Sequence, residues 1–200
     1  MKDITIHDQK YIAPTWSEMG GLVFELSQKI IASGEQYDRV VALAKGGLTF
    51  SRTLVDYLGM KGLSSIQIEF YSGIGTGVTG KTPVITQSLP VSVRDERILI
   101  FDDVLDTGES MKIAVSYLKY HGCKKVSTAT IMYKPWATTT VDFYAHETKA
   151  WILFPHEQRE SIKLLSKMWA EKGDTPIQIH EQLLKVGLPK AEVEFFSKLQ

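Results

Sequence analysis

One cysteine, Cys123, is the only thiol in these 200 residues. A lone thiol builds neither an internal disulfide framework nor a cysteine-based zinc cluster. It is in keeping with a reducing compartment, and its place beside Gly122, at an expected helix end, marks it as an inert structural residue. An excess of one charge is also missing: Lys and Arg total 23, Asp and Glu total 23. No global basic bias therefore points to nucleic acid. No apolar run approaches the roughly 20 residues that cross a bilayer, and the opening MKDITIHDQK has no apolar core of the signal-peptide kind. Repeats and low-complexity tracts are absent. The expectation is a cytoplasmic protein with neither nucleic acid nor membrane as partner. Apolar residues at 44% and charged residues at 23% are ordinary for a globular chain. The length suits one sizeable domain with a small appendage.

The most informative stretch is ILIFDDVLDTGES, residues 98–110. An unbroken apolar run over 98–101 predicts a central strand of a parallel sheet, covered on both faces. It runs into Asp102 and Asp103, then Asp106, then Thr107, Gly108, Glu109 and Ser110. Carboxylates at the C-terminal end of such a strand lie where open α/β sheets bind ligands. The small residues after them open a helix whose N-terminal amides suit a phosphate. Acceptors for sugar hydroxyls, amides for a phosphate and one further carboxylate together fit a phosphorylated sugar.

Along the rest of the chain, Thr15 caps a helix that starts near Trp16 and ends around 33–34, with Trp16, Met19, Val23, Leu26 and Ile30 at helical spacing. A buried strand is expected over 38–44. Lys45-Gly46-Gly47 turns the chain into a second helix that runs to about Tyr57 and closes at Gly59. Residues 66–71 alternate as a strand, and 72–92 form a long loop or hairpin arm. A helix over the stripe Met111, Ala114, Val115, Leu118 ends at Gly122. Strands follow over 126–133, 141–145 and 150–153. Strands alternating with helices argue for a mostly parallel α/β sheet. After Pro155 the pattern is helical. Thr175-Pro176 is a cap and first helical position, and two short helices break near Gly187-Leu188-Pro189. Val193, Phe196 and Leu199 are expected as an apolar stripe.

The stretch 98–110 resembles the ribose-phosphate signature of type I phosphoribosyltransferases: apolar strand, Asp-Asp, then Thr-Gly and a small hydroxyl residue. Lys134-Pro135, with Trp151-Ile152 and Pro155-His156-Glu157 beyond, resembles the purine branch of that family, the xanthine-guanine and hypoxanthine-guanine members. The resemblance spans roughly residues 10–157. It implies the type I phosphoribosyltransferase fold, a mostly parallel twisted sheet flanked by helices with a flexible active-site loop, over 1–157. Residues 158–200 are expected as a helical C-terminal extension, about which the resemblance says nothing.

What the resemblance implies for function is transfer of 5-phosphoribosyl from phosphoribosyl pyrophosphate to a 6-oxopurine (guanine, xanthine or hypoxanthine) in purine salvage, releasing pyrophosphate. Asp102 and Asp103 would hold the ribose hydroxyls, and Thr107, Gly108, Glu109 and Ser110 the 5-phosphate. Lys45, Gly46 and Gly47 would bind pyrophosphate, although strand-Lys-Gly-Gly-helix alone fits a plain tight turn equally well. Asp106 would be the general base near N7. Lys134 would donate to the purine 6-oxygen, since an ammonium has donors only, and Trp151 and Ile152 would contact the base. Mg²⁺ is the implied cofactor with Asp103 as its ligand, and Glu157 is a weaker candidate for touching a second metal. A homo-oligomer, dimer or tetramer, is expected. The alternative is a non-catalytic regulator that uses the fold to sense phosphoribosyl pyrophosphate.

Residues 75–82, GTGVTGKT, also fit the phosphate loop of nucleoside triphosphatases. That loop needs a helix directly after its Lys-Thr. Here PVITQSLPVSV follows, and two prolines with β-branched residues between them do not make one. The expectation is instead the family's closing loop, with glycines at 73, 75, 77 and 80 permitting motion and Lys81 meeting the departing pyrophosphate.

Overall fold

The computed structural model describes residues 1–72 and 81–199. The chain divides into two compact units, one of Gly20–Thr148 and one of Met1–Met19 with Lys149–Gln200.

The larger unit is built on a six-stranded sheet. Its strands are β3 (Arg39–Ala44), β4 (Gly62–Ser72), β5 (Lys81–Gln87), β6 (Arg97–Leu105), β7 (Lys125–Tyr133) and β8 (Phe143–Glu147), in the order β5-β4-β3-β6-β7-β8. Every neighbouring pair is parallel except β4–β5. Two-face burial explains the unbroken apolar runs. Val41, Leu43, Ile98 and Ile100 share a core with Met111, Ala114 and Leu118 of α3 (Glu109–Tyr120). Their alternates Val40, Ala42, Leu99 and Phe101 face the other way and are equally buried. Helix α2 (Gly46–Tyr57) packs on β3 and β6, with Phe50, Leu54 and Val55 buried.

The strand order creates the crevice. From β3 the chain passes through α2 to β4 on one side; from β6 it passes through α3 to β7 on the other. The carboxyl ends of β3 and β6 therefore meet where the winding direction reverses, the place where open α/β sheets take ligands. Strand β6 is longer than its apolar run. Pairing with β3 stops at Ala42↔Phe101, whereas pairing with β7 continues through Asp102↔Thr130 to Leu105↔Tyr133. The acidic pair thus lies within the strand, past the last residue paired with β3 and held by β7.

The segment over 75–82 does not lead into a helix. Lys81–Gln87 is the antiparallel edge strand β5, with Pro83 opposite Phe70, and an edge tolerates the missing donor. The glycine-rich loop expected over 73–80 and the Lys81 side chain lie outside the described residues.

Helix α1 (Trp16–Ala32) begins as its sequence predicts. The Glu18 amide donates to Thr15 Oγ1 at 3.1 Å and the Thr15 amide to Glu18 Oε2 at 2.8 Å, a reciprocal cap. In the smaller unit, β1 (Ile4–Ile6) and β2 (Gln9–Ile12) form a hairpin, and β2 pairs in parallel with β9 (Trp151–Ile152). Residues 158–200 contribute α4 (Gln158–Glu171), α5 (Pro176–Lys185), α6 (Lys190–Phe196) and a 3₁₀ turn, Ser197–Leu199. Trp169, Leu183 and Val193 of these helices share a core with Ile6, Tyr11 and Leu153. The expected stripe is only partly realised: Val193 is buried and Phe196 half-buried, but Leu199 is exposed. The chain has turned to 3₁₀ by then, which breaks the 3.6-residue spacing. Among the described residues no helix is long and apolar enough to cross a membrane.

Candidate active site

The first turn of α2 lies against the acidic end of β6. A Cβ on Gly47 would stand 2.6 Å from the Phe101 carbonyl oxygen and 3.1 Å from Asp102 Cα. A Cβ on Gly46 would collide with the Asp103 carboxylate. The glycines expected to admit an anion are thus first required by the sheet. Lys45, exposed, is the N-cap of α2 and follows a cis peptide bond from Ala44.

Asp103 is 5% exposed, and its amide donates to Asp102 Oδ1 at 3.0 Å. The Asp102 carboxyl is pushed well above the usual carboxylate range, chiefly by removal from water and then by the neighbouring Asp103 charge. Two vicinal carboxylates supply the hard oxygen donors that Mg²⁺ takes, and their mutual repulsion is what a divalent cation relieves.

Beyond β6, Gly108 is the N-cap of α3 at φ +88° and has no side chain to cap the helix. The Glu109 amide reaches Thr107 Oγ1 at 3.4 Å. Ser110 follows in the first turn, where helix amides suit a phosphate. Asp106 and Thr107 are exposed.

Lys134 directly follows β7 and is 6% exposed. Burial lowers its pKa, and the Asp106 charge acts in the opposite direction. These two groups, 28 positions apart in the chain, stand at adjacent strand ends and feel each other. Trp136, which the sequence reading passed over, joins them. Its indole Nε1 donates to Asp106 Oδ1 at 2.8 Å, and Lys134 Nζ lies 5.2 Å from its ring centroid. The loop carrying it folds over the loop of residues 107–110: the Thr138 amide and hydroxyl both donate to the Thr107 carbonyl at 3.0 Å, and Lys112 Nζ donates to Thr138 Oγ1 at 3.0 Å.

The larger unit therefore brings together Lys45, Gly46, Gly47, Asp102, Asp103, Asp106, residues 107–110 and Lys134 at the carboxyl ends of β3, β6 and β7. Trp151, Ile152 and Glu157 belong to the smaller unit. There Trp151 stacks on Tyr11 at 6.2 Å between ring centroids, Ile152 pairs with Ile12, and Glu157 is the N-cap of α4. Cys123 packs half-buried in the larger unit, and burial raises its thiol pKa, in keeping with an inert role.

The phosphoribosyl transferase domain model matches residues 15–159. This chain belongs to that family. It is a type I phosphoribosyltransferase, and its similarities fall in the purine branch. A purine phosphoribosyltransferase from Pyrococcus horikoshii of known crystal structure is 31% identical, with a TM-score of 0.66, and the match covers 73% of this chain and 93% of that one. A xanthine-guanine phosphoribosyltransferase from Gluconobacter oxydans is 27% identical over 154 residues, 76% of this chain and 85% of the relative. The bifunctional protein TilS/HprT of Listeria innocua is 29% identical over 123 residues, 59% of this chain but 18% of that larger protein.

Three substitutions test this geometry in the phosphoribosyltransferase. Gly47→Ala forces α2 away from backbone and should cost roughly 1–3 kcal/mol in chemical denaturation, whereas Gly46→Ala meets only a side-chain end and should cost less while displacing Asp103. For Asp102, the native chain holds more protons than the unfolded chain between the ordinary and the raised pKa, so this residue lowers stability as pH rises through that window. In metal-free buffer Asp102→Asn should melt higher than the parent at pH 7, with the gap closing toward pH 4.

Proposed function

We propose that this chain transfers 5-phosphoribosyl from phosphoribosyl pyrophosphate to a 6-oxopurine, giving the nucleoside monophosphate and pyrophosphate. The observation that carries this reading is that Asp106 and the buried Lys134 follow neighbouring strand ends and both contact Trp136, beside an acidic pair and the loop over 107–110. A carboxylate and an ammonium side by side match the N7–H and 6-oxo edge of such a purine: the first only accepts, the second only donates. A 6-amino group would face Lys134 donor to donor. The xanthine-guanine phosphoribosyltransferase of Gluconobacter oxydans supports the same class of base, and the Pyrococcus horikoshii protein supports a purine.

In this reading Asp102 and Asp103 accept from the ribose 2- and 3-hydroxyls. Thr107, Gly108, Glu109 and Ser110 hold the 5-phosphate through amides and hydroxyls. Lys45 and the amides of Gly46 and Gly47 bind pyrophosphate. Asp103, with Asp102 beside it, would hold Mg²⁺, which when bound would neutralise the charge on the leaving group. As the bond from C1 to pyrophosphate breaks, the base nitrogen attacks C1, and Asp106 accepts the proton at N7 and stabilises the positive charge spread over sugar and ring. Trp151 and Ile152 would contact the base.

The test is a base panel: protein, Mg²⁺, phosphoribosyl pyrophosphate and each of guanine, hypoxanthine, xanthine, adenine and uracil. Nucleotide from 6-oxopurines, with little from adenine or uracil, is expected. Adenine as the preferred base would overturn the specificity, and no product from any base would overturn the reaction. Asp106→Asn should lower turnover by about 100-fold or more, with phosphoribosyl pyrophosphate binding, followed by calorimetry, little changed.

A further inference from the structure

Trp136 is half in water, at 51% exposed, yet its two polar features are both engaged. The N–H goes to Asp106 and the ring face lies under Lys134. Among the described residues, this is the one hydrogen bond the Asp106 carboxylate accepts. A charge-assisted bond of 2.8 Å is short and directional, and it uses one of two carboxylate oxygens. An exposed aspartate on a loop otherwise samples several rotamers.

The backbone delivers the indole with little freedom. The Ala137 amide donates to the Lys134 carbonyl at 3.0 Å, closing a four-residue turn with Pro135 and Trp136 at its centre. The proline ring presets the turn. The same turn is bonded to both neighbours of Asp106: the Lys134 amide donates to the Leu105 carbonyl at 3.0 Å and the Thr138 amide to the Thr107 carbonyl at 3.0 Å. Asp106 is therefore bracketed in the backbone and held at its side chain by one short segment, residues 134–138.

We propose that Trp136 is a positioning residue for phosphoribosyl transfer. Its indole N–H orients the Asp106 carboxylate toward the base, and its ring face seats the Lys134 ammonium by cation–π attraction. The inference rests on the reading of Asp106 as the group that faces the purine. It assigns Trp136 two separable effects, one on the transfer step through Asp106 and one on base recognition through Lys134. Two stiff torsions make tryptophan suited to this, since little entropy opposes holding it in place.

The test is steady-state kinetics with saturating phosphoribosyl pyrophosphate and the 6-oxopurine of highest turnover, on the parent, Trp136→Phe, Trp136→Ala, Asp106→Asn and the double variant Asp106→Asn/Trp136→Phe. Trp136→Phe keeps a ring under Lys134 and loses the N–H. Its kcat should fall roughly 10- to 100-fold with base KM little changed. Trp136→Ala should lose the same in kcat and raise base KM as well. In the Asp106→Asn background, Trp136→Phe should cost nothing further, because its effect passes through the missing carboxylate. A kcat unchanged in Trp136→Phe, a loss that multiplies with that of Asp106→Asn, or a base KM that falls in Trp136→Ala (an indole standing in the purine's place) would each overturn the proposal. Near-parental turnover in Asp106→Asn would instead overturn the reading beneath it, so the two failures are distinguishable. Melting curves of both Trp136 variants should match the parent, as expected for a half-exposed side chain.

Discussion

The approach of the first turn of α2 to the end of β6 is the contact on which the site depends. Gly47 has room for no Cβ because the Phe101 carbonyl is there, and Gly46 none while Asp103 keeps its rotamer. Any larger residue at 47 would push the helix off the strand. The pyrophosphate-binding candidate Lys45 and the amides behind it would then move away from the acidic pair. The same crowding that aligns the two loops also sets the half-buried Asp102 carboxyl beside a like charge and raises its pKa. The fold therefore holds at its centre an arrangement that electrostatics alone disfavours, and buried apolar strands on both sides keep it in place. Stability sacrificed at a ligand site and recovered in the packing around it is the usual balance in functional proteins.

Local pattern reveals this architecture where one segment carries the whole message. The stretch 98–110 contains its own strand, turn and helix start, and β3 with Lys45-Gly46-Gly47 and α2 does the same. Both were legible because a two-face-buried strand has a signature independent of its partners. The reason for the glycines was only half legible. Sequence suggests a backbone open to an anion, while the structure adds a neighbouring strand that no local window contains. The extension of β6 to Leu105 escaped for a similar reason. Two aspartates end a strand by propensity, yet pairing with β7 carries this one through.

The N-terminal hairpin shows a different kind of miss. Its turn is His7-Asp8, both at positive φ, where Asn-Gly is the recognised signal. Asp and His tolerate that region better than most residues, but weakly enough that ITIHDQKYI does not announce a hairpin. The helices after residue 157 were readable from Thr175-Pro176, whose capping box with Gln178 is present. Their sharing of a core with Tyr11 and Leu153 was not, since it joins the two ends of the chain.

Trp136 was invisible for the most general reason. An aromatic in a loop has no periodicity, and its partner Asp106 lies 30 positions away. Its setting nonetheless explains how the proposed base side and phosphate side of the crevice would be kept in register. Thr138 bonds to the carbonyl of Thr107, Lys112 reaches Thr138 from α3, and Gly108 faces the Thr139 methyl so closely that a Cβ would collide with it. The turn that presents Trp136 and the loop that opens α3 are therefore one packed body. A displacement of either would move Asp106 relative to both the loop of residues 107–110 and Lys134. The proposed transfer requires the sugar carbon and the base nitrogen to meet within contact distance, and coupling the two loops through hydrogen bonds would set that distance from the fold itself.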